Sequence, residues 1–208
     1  YLVARNRGKK TVMSKSLFMP LSVVEMEVEH SNKRDLHRIR ESKPCIPLME
    51  LFCNPVKNAL ALFLAEVLFR VLKETEPDER LFAYLCNSIR LLEMADEGVA
   101  NFHLLFLLHL LYYMGIYPNV DTYRENACFD MLNGIFVESV PVHRHYLSRE
   151  ESRVLALLLR MRFENMSFYT FSRQDRVNIV RRILEYYRLH LPDFPEIKSL
   201  SVMQNLFD

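Results

Sequence analysis

NPVKNALALFLAEVLFRVLK, residues 54 to 73, is the stretch that decides the fold. Asn54 is a residue type that caps helix N-termini, and Pro55 stands at the first helical position, where its missing N–H is harmless. Val56, Ala59, Leu60, Phe63, Leu64, Val67, Leu68 and Val71 then recur on one face of a 3.6-residue period. Such a stripe must be buried against other helices, and the sequence downstream supplies them. A second helix is predicted from about Pro77 to Met94, with Leu81, Phe82, Leu85, Ile89 and Leu92 inward. A third, Val99 to Met114, is apolar nearly all round and therefore central, and Gly115 and Pro118 end it. Ser148 with Glu151 and Ser172 with Asp175 form capping boxes for helices running to about Arg162 and to just before Pro192. A last short helix spans roughly Glu196 to Phe207. Residues 117 to 147 are irregular, with Asn133-Gly134 giving the signal of a tight hairpin, and the aromatic-rich stretch Met161 to Phe171 reads as a packed connector.

Upstream of residue 54 the pattern changes. Leu21 to His30 alternates apolar and polar with period two, as a half-buried strand does, and Leu36 to Ile39 reads as another short strand before Pro44 and Pro47 interrupt the backbone. Charge divides at the same place: residues 1 to 43 hold 10 Lys+Arg against 5 Asp+Glu, a net of +5, while residues 44 to 208 hold 17 against 21, a net of −4. The fold class is therefore α+β, a basic strand region over 1–43 followed by an all-α helical domain over 44–208 with a small irregular hairpin insertion. The chain opens at Tyr1 already in a strand-like Tyr-Leu-Val-Ala, so an upstream segment is expected to belong to the same strand region.

Composition removes several function classes. Four glycines, of which the closest two are 17 positions apart, cannot build a phosphate loop or a dinucleotide fingerprint. The longest uncharged stretch, Gly98 to Val120, carries Asn101, His103, His109 and Pro118, and so reads as a core helix and loop, not a membrane span. Cys45, Cys53, Cys86 and Cys128 are scattered in a chain large enough to need no disulfide framework, which points to a reducing, cytoplasmic setting. Cys128, His143 and His145 share the irregular loop, but structural zinc usually takes paired ligands such as Cys-x-x-Cys, and none occurs, so no metal or other cofactor is expected. Cys86, His103 and His109 read as core or boundary residues. No nucleophile elbow is present, and Glu25, Glu27 and Glu29 fall on one strand face as a solvated surface. Enzymatic activity is not expected.

The remaining signal is basic. Arg5, Arg7, Lys9, Lys10 and Lys15 lie within eleven residues around Gly8, where a turn between strands would gather them against phosphates. Lys33, Arg34, Arg38, Arg40 and Lys43 form a second set on the same region. A solvated charged loop has the same composition, so the alternative is a helical protein-interaction adaptor with no intrinsic DNA activity. Arg173, Arg176, Arg181, Arg182 and Arg188 decorate the helix after Ser172, whose buried side is Val177, Val180, Ile183, Leu184 and Tyr187 and whose Gln174, Asn178, Arg181, Glu185 and Arg188 form a solvated face.

Three stretches together resemble one family: Val3 to Lys10 followed by Ser14 to Leu21, Phe102 with Leu107 to Pro118, and the closing Ile197 to Leu200. In order and spacing they are similar to the RecO family of bacterial DNA repair and recombination-mediator proteins, most closely its Bacteroides-type members. The resemblance implies an N-terminal OB-fold, present only in part because the family's first strands are absent here, followed by the helical domain. It implies a non-enzymatic role in the cytoplasm, associated with the nucleoid: binding single- and double-stranded DNA, annealing complementary strands, and helping load RecA onto DNA coated by single-strand-binding protein. The partners it implies are RecR, the C-terminal tail of single-strand-binding protein, and RecF, with no membrane. Arg5, Arg7, Lys9, Lys10 and Lys15 match the family's basic turn and would hold DNA, with Arg34 and Arg38 beside them. Many members carry a four-cysteine zinc site after the Gly-x-x-Pro exit; this sequence has only Cys128 there, so no metal is carried over.

Overall fold

The computed structural model describes residues 2–3, 15–30, 37–72 and 76–205. The N-terminal sheet holds β1 (Leu2–Val3), β2 (Val24–Glu29) and β3 (Arg38–Pro44) in the order β1-β3-β2, with β1 parallel and β2 antiparallel to β3. β3 runs on past the expected end at Ile39 and into Pro44 instead of being interrupted by it, while Leu36, the expected start, lies outside the described residues. Among the described residues β1 pairs with Arg38 and Ile39, and Pro44 stands opposite Val24 of β2 at the end of the ladder.

The helices are α1 (Glu50–Cys53), α2 (Pro55–Val71), α3 (Glu79–Met94), α4 (Val99–Tyr113), α5 (Arg149–Leu158), α6 (Arg173–His190) and α7 (Ser199–Asn205). The structure is α+β, a short N-terminal sheet followed by a mostly helical region. α4 is the hub: its residues 101–108, 110 and 111 are buried, and two tyrosine hydroxyls grip its backbone, Tyr84 of α3 donating to Phe106 O (2.9 Å) and Tyr187 of α6 to Leu107 O (2.8 Å). Asn54 Oδ1 accepts from the Val56 and Lys57 N–H groups, both serine capping boxes form, and Gly115 at φ 70° closes α4 as its own N–H bonds Tyr112 O and that of Ile116 bonds Leu111 O.

Other expectations are corrected. Phe82 is 59% exposed, not inward. Leu81, Ile89 and Leu92 are buried as expected, Leu85 is half-buried, and Ser88 is buried with them. The helix after Ser148 stops at Leu158, and Phe163–Phe168 form a 3₁₀ helix held by Asn101 of α4, whose Nδ2 donates to Met166 O and Tyr169 O. The last helix starts at Ser199, not Glu196. The hairpin of β4 (Cys128–Asp130) and β5 (Ile135–Val137), completed by β6 (Tyr146–Leu147) on the far side of β4, turns through four residues and not through Asn133-Gly134 alone. Asp130 Oδ1 accepts from the Leu132 and Asn133 N–H groups, and only Gly134 takes a left-handed φ of 67°. A Cβ on Gly134 would lie 2.7 Å from the Tyr186 hydroxyl, so the turn is fitted to α6.

Two short helices are capped by carboxylates from distant parts of the chain. The Met49, Glu50 and Leu51 N–H groups donate to Glu93 (2.8, 2.9 and 2.8 Å), and those of Lys198 and Ser199 donate to Glu66 (3.0 and 2.8 Å). Partial burial pushes both carboxyls up, but the donated bonds and a nearby cation, Lys57 for Glu93 and Arg70 for Glu66, outweigh it and hold both below the usual glutamate range. Lys57 is itself buried, with Nζ donating to Glu93 O at 2.7 Å at the carboxyl end of α3.

Candidate nucleic-acid interface

The predicted basic turn is only partly placed. Arg5, Arg7, Lys9, Lys10 and Arg34 lie outside the described residues, and Lys15 opens a 3₁₀ turn, Lys15–Phe18. Arg38 is exposed at the start of β3, opposite Glu29. Glu27 pairs with Glu41 while Val28 pairs with Ile39, so Arg40 is an extra residue bulged into β3. Glu25, Glu27 and Glu29 share a face of β2, and across from them stand Lys43, Glu41 and Arg38. Lys43 Nζ lies 3.1 Å from Glu25, and the bulge lets Arg40 Nε reach Glu29 at 3.4 Å. A hydrogen bond to Glu25 and its charge raise the Lys43 pKa. Two of the five cations in the second basic set, Arg40 and Lys43, are thus answered by glutamates across the sheet. The sequence hid this pairing because register is not readable from one strand's alternation.

Cys128 is buried in β4, while His143 Nε2 approaches Asp130 Oδ1 (3.3 Å) and His145 Nδ1 approaches Glu185 (3.6 Å). Among the described residues no three His, Cys, Asp or Glu side chains gather as a metal site. His103 is fully buried, and that burial, with Arg176 nearby, pushes its pKa down to about 3, so it is neutral. On α6, Arg173 donates to Gln204 O (2.9 Å), Arg176 to Phe171 O (2.6 Å), and Arg182 to Glu151 and Glu185 (2.9 Å each), while Arg181 and Arg188 remain exposed.

The helical region presents two chemically opposite concavities. One runs over α3, α4 and the connector as adjoining hollows of about 510 and 500 Å³ that share His109 and Phe163. Its walls are aromatic: Tyr84 stacks on Tyr113 at 4.9 Å, and the His109 ring stands edge-on to Phe163 at 5.8 Å. Arg80 lines one end, and Arg160 and Arg162 line the other. The signal for it was present in the spacing of His109, Tyr112 and Tyr113 on one face of α4; the arginines come from separate elements and gave none. The other concavity, about 490 Å³, opens between α5 and α6 over α4 and the hairpin.

A strand region joined to this helical core has known counterparts. The family model described as "Recombination protein O C terminal" matches residues 54–200. The chain is 45% identical over 208 residues to the DNA repair protein RecO of Azobacteroides pseudotrichonymphae and 44% identical over 207 residues to that of Phocaeicola vulgatus, in each case covering 100% of this chain and 86% of the relative. It is 37% identical over 212 residues to the protein of the same name from Porphyromonas gingivalis, with the same coverage. No solved structure matches. These matches define the class, a DNA repair protein. The chain belongs to the RecO family. Among the described residues no helix is long and apolar enough to cross a membrane.

Proposed function

We propose that the chain is a non-enzymatic recombination mediator that binds single- and double-stranded DNA, anneals complementary strands and helps load RecA onto DNA coated by single-strand-binding protein, together with RecR and RecF. The observation that carries this reading is the +5 charge of residues 1–43 in a chain of the RecO family. On this reading 1–43 is the later part of an OB-fold DNA-binding domain, 44–208 is the partner-binding helical domain, and the protein works in the cytoplasm at the nucleoid. Arg5, Arg7, Lys9, Lys10 and Lys15 hold phosphates and offset the repulsion between two strands brought together, while Arg34 and Arg38 contribute less, Arg38 because Glu29 stands opposite it. Binding of single strands by the full-length chain is expected to fall steeply with salt. Changing Arg5, Arg7, Lys9 and Lys10 together to Glu flattens that slope by about 3, since each lost phosphate contact removes about 0.7. An unchanged slope and affinity would replace this reading with that of an adaptor lacking DNA activity.

The arginine-ended aromatic groove fits the acidic, apolar-ended tail of single-strand-binding protein, because apolar side chains can lie against the Tyr113 and Phe163 rings while Arg80, Arg160 and Arg162 meet carboxylates. Arg160→Glu with Arg162→Glu is expected to weaken a fluorescent tail peptide at least about tenfold in an anisotropy titration while leaving DNA affinity unchanged.

A further inference from the structure

The cleft between α5 and α6 has the reverse chemistry. Leu108 and Leu111 of α4 floor it, and Val154 and Leu155 face Ile179 and Ile183 across it. Packed interiors leave few voids larger than a water molecule, whereas about 490 Å³ lies in the range of ligand sites, about 300–1,000 Å³. Its mouth carries Glu150, Glu151 and Asp175 against Arg182, the one cation among the described residues lining it. That guanidinium is already divided between Glu151 and Glu185, at 2.9 Å each. The rim is therefore net acidic and repels an acidic tail.

We propose that this cleft docks a cationic amphipathic segment of a second protein, whose apolar side chains enter between α5 and α6 while a lysine or arginine beside them meets the Glu150, Glu151 and Asp175 carboxylates. Rim charge sets the choice of occupant, and apolar residues offered by two helices suit anchors at i and i+3 or i+4 of a docked helix. The DNA turn and the aromatic groove take no part, so this inference stands or falls apart from the proposed function.

Random twelve-residue peptides displayed on phage and selected on the full-length chain test it. The recovered peptides are expected to share paired apolar residues flanked by Lys or Arg. Ile179→Arg, which places a cation in the cleft wall, is expected to weaken the synthetic peptides at least about tenfold. Glu150→Lys, at an exposed rim position, is expected to weaken them about two- to fivefold, and neither variant should change the circular dichroism spectrum. Recovery of no Lys- or Arg-flanked peptides, or only of peptides indifferent to both variants, overturns the proposal. So does a native mass spectrum of the purified chain showing the cleft filled by a small apolar molecule that Ile179→Arg displaces.

Discussion

The sheet and the helices of this protein are held together by different physics. Of the described residues in β2 and β3, Ile39 alone is buried, and the visible face is a ladder of glutamates and cations open to solvent. The helical region wraps an almost wholly buried α4 with leucines and aromatics from every side. A ladder of exposed charges is cheap to change, whereas a packed core is not. The half of the molecule that bears the phosphate-binding candidates is thus the half whose surface charge can vary without loss of the fold.

Three measurements sharpen or break this contrast. The largest effect belongs to Phe63, fully buried in α2: Phe63→Ala is expected to cost about 3–5 kcal/mol in urea unfolding followed by circular dichroism. A loss under 1 kcal/mol would show that the helical core is not the main source of stability. Next is Glu66→Ala, which uncaps α7 and is expected to cost about 1–2 kcal/mol. Glu66 and Glu93 titrate below their ordinary value of 4.5 when folded, so the stability they contribute is complete above that pH and is lost as pH falls through the lower folded values. A variant with both changed to Ala should therefore start less stable at neutral pH and lose stability less steeply below about pH 4.5. An acid limb parallel to that of the parent would remove the two caps from the account. The smallest effect is expected for Lys43→Ala, whose pair with Glu25 is exposed on both sides: the unfolding midpoint should stay unchanged within error, at low salt and high.

The helical half was legible because its signals are local. The Asn54-Pro55 start, the capping boxes at Ser148 and Ser172, and Gly115 each act within a few residues, and each formed as read. What was missed depends on residues far apart in sequence. The start of the last helix at Ser199 is set by Glu66, and the burial of Lys57 by a carbonyl of α3. The candidate interface divides as well. Arg5, Arg7, Lys9 and Lys10 of its basic cluster lie outside the described residues, whereas the neutralising partners of Arg40 and Lys43 lie across a strand pairing, with a bulge, that alternation alone does not determine.

The cap on α7 also bears on how the chain is made. Glu66 and Ser199 are 133 positions apart. At about 5–20 residues per second, a ribosome takes about 7–27 s to go from one to the other. Once α2 has left the exit tunnel, and until that interval ends, the Glu66 carboxylate is unmatched and α7 is not yet there to cover its side. The first long helix to be translated is among the last to be completed, and a nascent chain paused between these points presents its most apolar helices to whatever chaperone waits at the tunnel mouth.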